Sequence, residues 1–247
     1  MRFQAAAPDA RAIVYAGIQA DPLVGRVADL LLDASLAERV LARAVMNGER
    51  TDPDVWRAMV PSAFDPATAG PDGIAHAERL LTACLAVAER GEQVRSQFRG
   101  AIVEELTARL VARRVPVPAV RRERRVLFDG VTAEIHPYDV SVELPGRAEV
   151  YDCKWGARGI NADVLHQLDD ARRHATDEGE RLLSALVIFD ARRSCEVRLA
   201  RMTAPRGETR LYTTETLSRL AGAARPGGET GPAKPATPDS PVPPATS

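Results

Sequence analysis

Lysine is scarce in this chain, although 33 of its 247 residues are basic. Lys154 and Lys234 are the only lysines, and the remaining basic residues are arginines. Lys234 lies in a proline-rich segment, so Lys154 is the only lysine in the part of the chain that we expect to fold. A guanidinium cannot replace a compact amine whose pKa shifts with its surroundings. The retained lysine therefore indicates either a chemical requirement or chance.

Cysteines and long apolar runs are also few. Cys84, Cys153 and Cys195 lie far apart without a C-x-x-C pair, which excludes a disulfide framework and a cysteine zinc site and is typical of a reducing cytosol. No apolar run approaches the length of a membrane-spanning helix. The N-terminus lacks the apolar segment of a secretory signal. We therefore expect a cytoplasmic protein that does not enter a membrane.

Aromatic residues make up only 4% of the chain, so the core must consist mainly of Ala, Leu and Val. The net charge of −1 gives the whole protein no field that would attract nucleic acid. Only a local basic patch could do so. The length of 247 residues is sufficient for one large domain or two small ones.

The hydrophobic pattern changes along the chain. Residues from about 21 to 110 have helical periodicity, and a helix capped by Asn161 and ended by Gly179 is predicted later. Between these regions lie three strand-like segments, separated by turns at residues 129–130 and 145–146. These segments are RRVLFDG, AEIHPYDVSVEL and RAEVYDCKW. With further strands predicted in LLSALVIFD and CEVRLARMT, the pattern indicates an α/β fold, a sheet with helices packed on it.

Three regions follow from this pattern. Residues 1–94 form an N-terminal all-helical region, and residues 95–222 form the domain that contains the sheet. Residues 223–247 are predicted to be a disordered tail, because the last 23 residues include seven prolines and cannot bury apolar surface.

Two acidic residues are expected to lie close to the lysine. Side chains alternate along a strand, so Asp152 and Lys154 share one face. A hairpin about Pro145-Gly146 would bring Asp139 beside Asp152 across the strand pair. Two adjacent carboxylates repel each other, and a divalent cation relieves that repulsion. Oxygen ligands of this kind select Mg²⁺ or Mn²⁺.

This set of residues resembles the PD-(D/E)xK nuclease superfamily over roughly residues 95–200. FRGAIVEEL resembles the first-helix motif and gives Glu104, HPYDV gives Asp139, DCK gives Asp152 and Lys154, and VLHQLDDARRH gives Gln167. The chain departs from the usual pattern by an Asp in place of the commoner Glu at 152, and by a tyrosine inserted between the Pro and the Asp. The resemblance implies a restriction-endonuclease-like αβββαβ core and metal-dependent cleavage of phosphodiester bonds, mostly in DNA.

The resemblance also implies a role for each residue. Asp139 and Asp152 would hold the metal, with Glu104 as an outer or water-bridged ligand and the backbone carbonyl of Cys153 as an additional one. Lys154 would align or deprotonate the attacking water and offset phosphate charge. Gln167 would support the lysine or the water.

Arginines are concentrated just before and within the first predicted strand. Eight arginines accompany three acidic residues between residues 99 and 126. The arginines assigned to nucleic-acid binding are Arg113, Arg114, Arg121, Arg122, Arg124 and Arg125. Such a patch could hold a phosphate backbone. The alternative is a solvated surface in an arginine-rich protein.

Other interpretations remain open at this point. Glu105 is interpreted as a solvated charge, Glu143 and Glu149 as surface acids, and Trp155 as a core residue. The protein could be an inactive nuclease-fold module that binds nucleic acid or scaffolds a complex, or an unrelated α/β binding domain. The N-terminal helices would contact substrate or a protein partner, and a homodimer is a further alternative.

Overall fold

The computed structural model describes residues 1–6, 10–131, 136–203 and 208–222, without the side chains of residues 10–12. Within these ranges the chain forms eight α-helices and six β-strands. The helices are α1 (Ala10–Gln19), α2 (Pro22–Leu32), α3 (Leu36–Asn47), α4 (Pro53–Met59), α5 (Pro66–Ala88), α6 (Glu92–Ala112), α7 (Ala162–Asp177) and α8 (Arg192–Ala200). The strands are β1 (Arg2–Ala5), β2 (Val120–Leu127), β3 (Tyr138–Leu144), β4 (Arg147–Lys154), β5 (Leu182–Ile188) and β6 (Arg210–Tyr212). The predicted tail lies outside the described residues.

The six strands form one sheet in the order β1-β2-β3-β4-β5-β6. The strands from β1 to β4 pair antiparallel, whereas β4 with β5 and β5 with β6 pair parallel. Parallel neighbours need a crossover connection, which α7 and α8 provide. The predicted mixed α/β class is confirmed, and helix, three strands, helix and strand follow one another from α6 to β5.

A hydrophobic core lies on each face of the sheet. On one face, Val140 and Val187 belong to a core that α6 and, behind it, α2, α3 and α5 complete. On the other face, Val150 and Leu186 pack with α7. The first core includes residues from both sides of the boundary expected between residues 94 and 95, and that boundary stays a prediction.

The ends of α7 follow from its sequence. The side chain of Asn161 accepts a hydrogen bond from the N–H of Val164, which satisfies a donor that the first helical turn leaves free. Gly179 adopts a φ of +71° just after the helix, a left-handed conformation that glycine takes readily. Both predicted ends of this helix are confirmed.

Two predicted elements are wrong. The N-terminal region is not all-helical, because Arg2–Ala5 is a strand that pairs antiparallel with β2. A strand of four residues has too little periodicity to be recognised from the sequence, and its pairing partner β2 lies far along the chain. The segment CEVRLARMT is not a strand, because it lies largely in α8. Its alternating Cys195, Val197 and Leu199 resemble a strand, but the parallel pairing of β5 with β6 requires a helical crossover here.

No helix within the described residues is long and apolar enough to cross a membrane.

Candidate active site

The hairpin formed by β3 and β4 brings two aspartates together. The strands pair from Leu144 with Arg147 to Val140 with Tyr151. Asp139 and Asp152 are the next residues on the two strands, near the end of the hairpin away from its turn. Both carboxylates lie within 3.9 Å of the amine of Lys154, so the structure brings them together as the strand pattern predicts.

The amine of Lys154 lies against both carboxylates. Its Nζ is 2.6 Å from Oδ1 of Asp152 and 3.9 Å from Oδ2 of Asp139. The backbone N–H of Cys153 also donates to Oδ2 of Asp139, at 2.5 Å. Two carboxylates that are largely buried are thus contacted by one ammonium group and one peptide N–H.

The electrostatics of this group favour additional positive charge. Burial raises the pKa of Asp139 well above its usual value, and the charges of Asp152 and Glu104 raise it further. Burial also raises the pKa of Asp152, although Lys154 opposes that shift. For Lys154, burial alone would lower the pKa, but the charges of Asp139 and Asp152 outweigh it, and the pKa rises. Burial thus opposes the charged form of all three groups, and each charge depends on its neighbours.

Glu104 of α6 is buried beside this group and is held by α1. The hydroxyl of Tyr15 donates to its Oε1 at 2.6 Å, and the amide of Gln19 donates to its Oε2 at 2.8 Å. The charge of Glu104 contributes to the raised pKa of Asp139. The prediction that Glu104 faces the sheet agrees with its burial. Its interaction with α1 was not expected.

Glu123 is an acid of this region that the sequence analysis missed. The β2–β3 register, which pairs Arg122 with Val140 and Arg124 with Tyr138, places it opposite Asp139. It has a φ of +50°, uncommon for a residue with a side chain. Burial raises the pKa of Glu123, and the charge of Glu104 adds to that shift. The sequence signal that could have identified Glu123 is an acidic residue between arginines in the strand before that of Asp139.

The remaining predicted site residues contact other groups. The amide of Gln167 donates to the backbone carbonyl of His136 at 2.8 Å, so it contacts the segment that precedes β3. The thiol of Cys153 is buried and lies 3.4 Å from the hydroxyl of Thr107. Within the described ranges, no three Asp, Glu, His or Cys side chains are arranged closely enough to hold a metal ion.

Among the six arginines predicted to bind nucleic acid, four form ion pairs with acids in the described part of the chain. These pairs are Arg113 with Asp33, Arg114 with Glu149, Arg122 with Glu105 and Arg124 with Glu143. Much of the local positive charge is therefore compensated within the protein. Glu149 is not the surface acid that we expected, because it is fully buried between Arg114 and the hydroxyl of Tyr151. Nor is Glu105 a solvated charge, since Arg109 and Arg122 both bind it.

Gly159 lies close against the aliphatic part of the Lys154 side chain. A Cβ at residue 159 would lie 2.8 Å from Cβ and 3.0 Å from Cγ of Lys154, closer than real Cβ contacts allow. We expect Gly159→Ala to lower the free energy of unfolding by about 1–3 kcal/mol, the usual cost of overpacking. Gly17→Ala is the matched control, because no atom lies within 4 Å of the added methyl group. Urea unfolding should show that Gly17→Ala raises the free energy of unfolding by about 0.5–1 kcal/mol. Equal effects of the two substitutions would contradict the packing argument.

Comparisons with known proteins add little to this geometry. No protein-family model matches the chain, and no curated protein matches it. One solved structure, described as protein VC1899 from Vibrio cholerae, is similar with 16% sequence identity and a TM-score of 0.46. The match covers 90% of this chain and 57% of that chain, so this chain spans little more than half of the other protein's length. A similarity of this degree assigns neither fold family nor function.

Proposed function

We propose that this protein is a Mg²⁺- or Mn²⁺-dependent nuclease of the PD-(D/E)xK type, with a restriction-endonuclease-like core, that hydrolyses phosphodiester bonds in DNA. One observation carries the proposal. Asp139 and Asp152 lie on the neighbouring strands β3 and β4, and the amine of Lys154 is within 3.9 Å of both carboxylates. This is the acid, acid-x-Lys arrangement that the sequence motif requires.

The carboxylates have the chemistry of a divalent-metal site. Asp139 and Asp152 are hard oxygen ligands of the kind that Mg²⁺ and Mn²⁺ prefer. Their raised pKa values result from burial and, for Asp139, from like charge as well. A bound cation would stabilise the ionised form of both carboxylates. The bound metal would polarise the phosphate and lower the pKa of a water molecule. Glu104 could join as an outer ligand if the hydroxyl of Tyr15 and the amide of Gln19 release it.

The residues of the chain have separate tasks in this proposal. Asp139 and Asp152 hold the metal, and the N–H of Cys153 orients the carboxylate of Asp139. Lys154 aligns or deprotonates the attacking water and offsets the negative charge that develops on the phosphate. Gln167 acts less directly, through the segment before β3 that its amide contacts.

A second candidate is a nuclease-fold module without catalytic activity, which binds nucleic acid or scaffolds a complex. The 2.6 Å ion pair between Lys154 and Asp152, together with the engagement of both Glu104 oxygens by α1, favours it. In such a module these contacts would be permanent structural interactions. A bound metal would then not be required.

The test is a cleavage assay on labelled single-stranded and double-stranded DNA and RNA, with Mg²⁺, Mn²⁺ or EDTA. A nuclease should cut at least one DNA substrate with either metal and none in EDTA. A parallel titration with Mn²⁺ should raise the melting temperature, because a ligand that binds only the folded state stabilises it. If no substrate is cut and Mn²⁺ does not shift the melting temperature, the nuclease is eliminated and the non-catalytic module remains.

A further inference from the structure

A cavity of about 670 Å³ lies at the ends of β4 and β5, directly after Lys154 along the chain. It is lined by helices α3 and α6 and by the segments that follow β4 and β5. Its main lining residues are Arg43, Asn47, Arg99, Trp155, Arg158 and Asp190. This volume is typical of a pocket for a small ligand.

Trp155 gives the cavity a fixed aromatic surface. Its ring stacks on Phe189, with centroids 4.7 Å apart and planes 20° apart. Its Nε1 donates to Oδ1 of Asn47 at 2.8 Å. Phe189 is fully buried, and Trp155 is half-buried. The Trp155 ring packs against the core, as expected, and it also borders the cavity. Aromatic rings held in this way are the surfaces on which unpaired bases stack.

The cavity also has positive charge that is not compensated. Arg99 pairs with Glu92 at 2.8 Å, and Arg43 pairs with Asp190 at 2.7 Å. Arg158 is exposed, and it has no ion-pair partner in the described part of the chain. The cavity therefore combines an aromatic ring with a free guanidinium group, which is suited to a phosphate.

We propose that this cavity binds one unpaired nucleotide of the substrate strand. The base stacks on Trp155, and Arg158 binds the adjoining phosphate. The assignment of the strand as substrate rests on the proposed nuclease function, but the binding site itself does not. It follows that the preferred substrate has a single-stranded segment, because a paired base cannot enter the cavity without leaving its duplex.

The test measures binding in EDTA, so that cleavage plays no part. A short dye-labelled single-stranded oligonucleotide is titrated with the full chain, and fluorescence anisotropy gives the Kd. We expect Trp155→Leu to weaken binding about tenfold and Trp155→Phe to retain most of it, since phenylalanine still stacks. Arg158→Ala should weaken binding. It should also reduce the slope of the logarithm of the affinity against the logarithm of the salt concentration by about one, the loss of one phosphate contact. Arg181→Ala is the control, because this exposed arginine lies just before β5, at the opposite end of the strand.

The outcomes separate this proposal from the nuclease itself. Wild-type affinity in a folded Trp155→Leu variant, or equally strong competition by a blunt duplex, would overturn the nucleotide site. Competition by a free mononucleotide as strong as that of the oligonucleotide would overturn its assignment to a substrate strand. Binding that depends on Trp155 without any cleavage would support the cavity and reject the nuclease. Cleavage that does not depend on Trp155 would support the nuclease and reject the nucleotide site in the cavity.

Discussion

The Asp139→Asn and Asp152→Asn variants are expected to lose the rise in melting temperature that we predict for Mn²⁺, and to cut DNA about 1,000-fold more slowly than the wild type. Each change removes one of the two carboxylates that would share the cation, and electrostatic groups at reacting centres have effects of this size. Thermal unfolding with and without Mn²⁺, together with single-turnover cleavage at saturating metal, provides the measurement.

In EDTA, Asp139→Asn should have an additional effect on stability. Burial and the charges of Asp152 and Glu104 raise the pKa of Asp139, so its ionised form opposes folding at neutral pH. A neutral amide removes that repulsion while its oxygen can still accept the hydrogen bond from Cys153. The melting temperature should therefore rise, by about 2–4 °C for each kcal/mol of repulsion relieved in a chain of this size.

Asp177→Asn is the matched control for both effects, because Asp177 is exposed at the end of α7 and has no ion-pair partner within the described residues. It should keep the wild-type metal shift and cleavage rate. If the Asp139 and Asp152 variants retain the full metal-dependent shift, the ion binds elsewhere and the proposed site is wrong.

Lys154→Arg is expected to cut DNA about 100-fold more slowly than the wild type, even though it preserves the charge. The amine lies 2.6 Å from Oδ1 of Asp152, and Gly159 closes over its aliphatic carbons. A longer and planar guanidinium cannot occupy the same point without displacing one of these neighbours. Lys154→Ala should lose a similar factor, since a positioned charge-stabilising group contributes on this scale. Single-turnover rates at saturating Mg²⁺ compare the three proteins.

The metal should still bind to both lysine variants, because in the proposed site the aspartates would hold it and the amine would not. Arg181→Lys, an exchange of the same two residue types at an exposed position, should leave the rate unchanged. A wild-type rate for Lys154→Arg would show that charge alone is needed at this position. The single lysine of the folded region would then reflect codon composition rather than chemistry.

Much of the candidate site was predictable because its determinants are local. The turn at Pro145-Gly146 and the alternation along β3 and β4 are enough to place Asp139 opposite Asp152. The amine of Lys154 lies two residues from Asp152 on the same face for the same reason. These predictions use only the period of a strand and the length of a hairpin, which short stretches of sequence specify.

Other features depend on contacts between distant parts of the chain. Tyr15 and Gln19 reach Glu104 from a helix about 85–90 residues earlier in the chain. Glu123 joins the acidic group through strand pairing and an unusual backbone conformation. Arg114 is directed inward to Glu149 rather than outward to a ligand. No local pattern encodes these contacts.

The sequence by itself determined the order of helices and strands from α6 to β5, the hairpin and the acid-x-Lys motif at its end. Only the tertiary structure decided which charges are buried, which arginines are free and where Trp155 borders a cavity. The physical reason is that periodicity and turn residues act over a few positions of the chain. Burial and ion pairing depend instead on which distant segments pack together, and they alone determine the charge that a ligand would meet.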